Sequence, residues 1–90
     1  MTNDEILERA YSARTLLEHE AFLSTISDLE KRYYNEWSQS GNAETRERVF
    51  LRVGTLRDLV AELSSWVIAA DQIRNVIEFN DNYEEEYENE

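Results

Sequence analysis

Cysteine and proline are absent from this chain of 90 residues, and glycine occurs only twice, at Gly41 and Gly54. Without cysteine there is no disulfide framework and no thiolate metal site. Without proline, and with so little glycine, long helices meet no strong breaker. No segment shows the strict alternation of a half-buried strand, and no Asn-Gly pair marks a strand hairpin. The longest apolar run is a few residues near Trp66 to Ala70, too short to cross a bilayer. The segment MTNDEILERA has neither a basic n-region nor an apolar h-region, so we expect no signal peptide. We therefore expect a protein that is neither secreted nor membrane-bound.

Basic residues are scarce as well. Nine lysines and arginines face twenty acids, for a formal net charge of −11. Seven of those acids lie in the final stretch EFNDNYEEEYENE, residues 78–90, which carries no base. The rest of the chain is only mildly acidic. Such a balance argues against nucleic-acid binding by a single chain, because phosphate contacts need a basic surface. It favours solubility, a partner with a basic surface, or imitation of a polyanion.

What is present is helical periodicity. Thr2 and Glu5 stand at capping-box spacing. Ile6, Ala10, Ala13 and Leu17 then recur at steps of four and three, as one helix face requires. The phase slips at Glu18, His19 and Glu20, where a kink is expected. Phe22, Ile26, Leu29, Tyr33 and Trp37 resume on one face. Ser38 to Asn42 form a turn, with Gly41 expected in the left-handed conformation that ends a helix and Asn42 as the next N-cap.

The third segment has a heptad seam. Val49, Val53, Leu56, Val60, Leu63, Val67 and Ala70 are spaced alternately by four and three. Valine at one seam position and leucine at the other favours a parallel two-stranded coiled coil, whereas Leu59, Trp66 and Ile73 widen the face toward that of a bundle. A helix from about Ala43 to about Phe79 is roughly 55 Å long at 1.5 Å per residue. The first two segments are expected to cover about two thirds of it, leaving Trp66, Ile73 and Ile77 uncovered unless another chain or the acidic tail packs there. Val49, Val53, Leu56, Val60, Leu63, Trp66, Val67, Ile73 and Ile77 are therefore the expected self-association face.

Residues 1–77 thus read as a helical domain and 78–90 as an acidic tail. Asn80, Asp81 and Asn82 are poor helix formers and predict an interruption between the two. The tail carries a docking stripe, Phe79, Tyr83 and Tyr87, and carboxylates suited to a basic partner, Glu84, Glu85, Glu86 and Glu88. The bland alternative is a solvated tail. Arg48 and Arg52, four apart near a helix start, form a possible anion patch; pairing with Glu44 or Glu47 is the plainer reading. Trp37, Trp66, Tyr33 and Tyr34 follow the apolar faces and so read as core or interface anchors. Gly54, inside the third helix, is either a tolerated surface residue or the mark of a close approach opposite Tyr33 or Trp37.

Catalytic signals are missing. One histidine, His19 between two glutamates, supplies neither a hydrolytic triad nor the two Glu-x-x-His pairs of a di-metal bundle. No nucleophile elbow and no glycine-rich phosphate loop occurs. We expect no enzyme and no cofactor.

The stretch 16–63 carries Leu16-Leu17, Phe22, Tyr34-Asn35-Glu36-Trp37, the pair Arg46-Glu47, and Leu56, Leu59 and Leu63. In this order the residues resemble those of small helical proteins of tailed bacteriophages found among head and packaging genes. The turn lacks the Asp or Pro frequent in that group, and the acidic aromatic tail is not part of its pattern. The resemblance brings no functional residues with it. It implies a non-enzymatic phage structural or assembly protein of the virion or packaging apparatus, found in the host cytoplasm or the virion and working through protein–protein contacts with itself and with phage or host proteins. Two other readings stand beside it: a small acidic inhibitor occupying a basic nucleic-acid-binding site of a host protein, and a small DNA-packaging initiation subunit. The expected fold is all-α, a helical hairpin with a kinked first arm and a long second helix, assembling into an oligomeric bundle.

Overall fold

The computed structural model describes the backbone of residues 1–88 and the side chains of residues 1–81. The protein is all-α: α1 spans Asn3–Glu18, α2 Glu20–Gln39 and α3 Ala43–Glu88, with no strand among the described residues. Each helix begins where a side chain satisfies a free backbone N–H. Thr2 Oγ1 accepts from the Glu5 N–H at 3.2 Å, and Asn42 Oδ1 accepts from the Glu44 N–H at 2.9 Å, both as the sequence suggests.

The break at His19 is a single residue. Its backbone is extended (φ −74°, ψ 124°). Its N–H donates to the Leu16 carbonyl, closing α1, and its Nδ1 accepts from the Ala21 N–H at 3.2 Å, opening α2. One residue therefore serves as both caps, and α1 and α2 lose almost no length to the kink. For this reason the cover over α3 reaches farther than two thirds of its length. Arg9 stacks over the Trp66 ring at 4.5 Å, and Asn3 borders a hollow with Ile73 and Ile77.

One expectation about glycine is corrected, and one of two readings is set aside. Neither glycine has positive φ. α2 ends instead on Ser40, extended at φ −81° and ψ 126°, while its carbonyl accepts from Arg46 Nε at 2.9 Å. A hydrogen-bonded polar turn thus replaces the left-handed glycine. At Gly54 an added Cβ would meet nothing within 4 Å, so no close helix approach explains it.

The core is small and built of small residues. Ala10, Ala13 and Ala70 are buried where α1 crosses α3, and Val49 and Leu56 where α2 does. Ion pairs flank these contacts: Arg14 to Asp71 at 3.4 Å joins α1 to α3, and Arg52 to Glu36 at 3.8 Å joins α2 to α3. α3 does not stop at Asn80–Asn82 but stays helical to Glu88. The chain is long and thin, 72 × 24 × 22 Å, with a radius of gyration of 20.3 Å. A compact chain of this length would have about 12 Å.

Candidate interaction surfaces

The seam proposed for self-association divides in two. Val49 and Leu56 are buried within the chain; Val53, Val60, Leu63, Trp66, Val67 and Ile73 are half-buried; Ile77 is 46% exposed. The helices α1 and α2 therefore use the centre of the seam, and its edge remains open. Sequence reasoning missed the apolar residues outside the seam. Phe50, Leu51, Ile68 and Val76 are all more than half exposed. Each lies off the four-three pattern and so looks like an isolated surface residue. They stand at steps of one, seventeen and eight, so no helical recurrence joins them and spacing gives no signal for them as a group.

Hollows follow the line where α2 meets α3. Tyr33 stands between two of them. One, of about 510 Å³, is lined by Tyr33, Leu51, Thr55, Leu56 and Leu59, with Arg48 and Arg52 at its edge. The other, of about 430 Å³, lies among Tyr34, Trp37, Phe50 and Val53. Both are open and mainly apolar, with no cluster of converging polar groups.

Arg48 and Arg52 are engaged by acids, in line with the plainer reading of that pair. Arg48 lies 4.0 Å from Glu44 and Arg52 lies 3.8 Å from Glu36. Both pairs are long; the first is mostly exposed and the second about half-exposed, so solvent screens them and each adds little stability. Of the tail stripe, Phe79 is 69% exposed. The side chains of Tyr83, Tyr87, Glu84, Glu85, Glu86 and Glu88 lie outside the described residues.

The hydroxyls are occupied locally. Thr15, Ser24, Thr25, Thr55 and Ser64 each donate to the carbonyl four residues earlier on their own helix, as mid-helix Ser and Thr commonly do. His19 is exposed and caps α2. Among the described residues no three His, Asp or Glu side chains gather as a metal site would require, and no helix is long and apolar enough to cross a membrane. No family model matches the chain, and neither a curated protein nor a solved structure gives a significant match.

Proposed function

We propose that this chain is a non-enzymatic assembly protein, a helical hairpin whose α1–α2 arm folds against α3 and whose remaining apolar surface binds other subunits. One observation carries the reading. The chain exposes 7385 Å², whereas a compact monomer of its mass, 10.7 kDa, exposes about 5,500 Å². The difference, about 1,900 Å², exceeds the roughly 800 Å² per partner of a standard interface. Part of it is the end of α3 that runs beyond the arm, and part is the apolar flank. Among the described residues no large side chain is fully buried, so the fold gains little from its own core. The resemblance to proteins of tailed bacteriophages is what suggests the head, neck or packaging apparatus for such a subunit.

The test is molar mass by light scattering, on the full chain and on a chain ending at Ile77. A discrete oligomer in both supports an assembly role for the helical body. A monomer in both overturns it. That result would favour the second reading, an acidic inhibitor presenting the projecting end of α3, where Glu78, Phe79 and Asp81 are exposed. The second reading predicts binding to a basic nucleic-acid-binding protein that weakens steeply with salt and is lost on removal of residues 78–90.

A further inference from the structure

The apolar flank of α3 is ordered. Leu51, Thr55, Leu59, Trp66, Ile73 and Ile77 recur at steps of four or seven; Leu51, Thr55, Leu59 and Ile77 are exposed, Trp66 and Ile73 are half-buried beside α1, and exposed Glu62 shares their arc. At about 100° per residue they stay within an arc of roughly 80°, about a quarter turn from the seam that α1 and α2 cover. The stripe is about 39 Å long at 1.5 Å per residue. Thr55 belongs to it as an apolar position, since its hydroxyl is spent on the Leu51 carbonyl at 3.0 Å. Hollows of about 510, 290 and 230 Å³ lie along its length, the last two bordered by Trp66 and by Ile73 with Ile77.

We propose that this flank seats the same flank of a second copy, running antiparallel, in a two-fold dimer. The inference rests on the assembly reading above and adds the surface, the subunit number and the direction. The argument for a second copy is area together with charge. The surplus surface is more than a dimer interface needs. The two ends of the stripe also carry opposite charge: Arg48 and Arg52 lie at one end, and Asp81 and the acidic run that follows it in the sequence lie beyond the other.

A two-fold axis makes the contact reciprocal, each end of one copy meeting the opposite end of the other. With the axis at the middle of the stripe, near Ser64, Arg48 lies beside about position 80 of the partner and Arg52 beside about position 76. Those positions are Asn80 and Val76, with the acids Glu78 and Asp81 within a turn of them, and the long, solvent-exposed pairs with Glu44 and Glu36 leave both guanidinium groups able to turn to these acids. A parallel pair would set the acidic ends against each other and the arginines against each other, and charge patterns of this kind fix helix direction. The parallel preference of the Val/Leu seam does not apply, because that seam is occupied within the chain.

The absence of native cysteine allows a direct test. Full-length chains carrying Leu51→Cys, with a size tag, and Ile77→Cys, without one, are mixed, equilibrated and oxidised, after circular dichroism confirms that each retains its helicity. Light scattering of the unmodified chain gives the subunit number independently. Two chains per particle, with the mixed 51–77 disulfide dominating over the 51–51 product, is the expected result. A dimer in which Leu51→Cys links mainly to itself overturns the antiparallel direction and leaves the assembly reading intact. A larger discrete oligomer overturns the two-fold dimer and also leaves that reading intact. A monomer overturns both.

Charge gives a second measurement. Arg48→Glu with Arg52→Glu weakens dimerisation by about tenfold or more at low salt. Lys31→Glu with Arg32→Glu changes the net charge equally at exposed positions on α2 and is the control. Equal weakening by the two pairs would overturn the proposed contact.

Discussion

At the scale of single residues, the caps set where this chain bends, and a glycine inside α3 bears on how stable that helix is. Gly54 sits in the interior of α3 with open space around its missing Cβ. Alanine there restricts the unfolded chain and suits the helix better, without a clash to offset the gain. Gly54→Ala is therefore expected to stabilise by about 0.5–1 kcal/mol, read as a higher urea midpoint at unchanged slope. A fall in the midpoint would mean that something does approach that surface in the assembled protein. His19 is the opposite case, because its side chain occupies a position that alanine cannot serve. His19→Ala removes the acceptor for the Ala21 N–H and is expected to cost about 1 kcal/mol, whereas His19→Asp, a favoured N-cap, preserves stability. The same urea titration compares the two, and equal loss in both variants would show that the ring acts through something other than the cap.

At the scale of elements, the three helices meet through unlike contacts. α1 approaches α3 across Ala10, Ala13 and Ala70, which lets the backbones come close but buries little area. α2 meets α3 through larger side chains and leaves hollows on both sides of Tyr33. A leucine at position 70 has no room between α1 and α3. Ala70→Leu is expected to cost about 1–3 kcal/mol, with the loss confined first to α1, so amide exchange should speed up across residues 6–17 before it does across 22–37. Uniform acceleration would instead show that the three helices unfold as one unit.

The contrast also explains what was legible in the sequence. Thr2, His19 and Asn42 act through neighbours two or three residues away, so the helix starts and the kink can be read locally. The faces Ile6–Leu17, Phe22–Tyr33 and Val49–Ala70 show in their spacing. The passage of α3 through Asn80–Asn82 does not, because each unfavourable residue costs at most about 0.7 kcal/mol and extending a helix already formed is far easier than starting one. Nor was it legible that Val49 and Leu56 would be covered inside the chain while Leu51 and Leu59 stayed open. That division depends on how far the arm reaches along α3, which the one-residue break at His19 decides.

At the scale of the whole molecule, the question is whether a chain with so thin a core stands alone. Among the described residues the buried ones are three alanines, one valine and one leucine, and burial on that scale offsets little of the conformational entropy lost on folding. Helix propensity and capping add increments of about 1 kcal/mol or less each. Net stability of ordinary domains is itself only about 5–15 kcal/mol, and the assembly proposed above assigns a large share of it here to contacts between chains. Stability that comes from association depends on concentration. For a dimer, hundredfold dilution above the dissociation constant lowers the unfolding free energy by about 2.7 kcal/mol, and for a domain of this size each kcal/mol corresponds to about 4–8 °C in Tm. Thermal unfolding followed by circular dichroism over a hundredfold concentration series is therefore expected to show a Tm that climbs steadily with concentration. A Tm that stays fixed across the series would mean that the three helices suffice by themselves. The apolar flank of α3 would then be surface that a single folded chain tolerates.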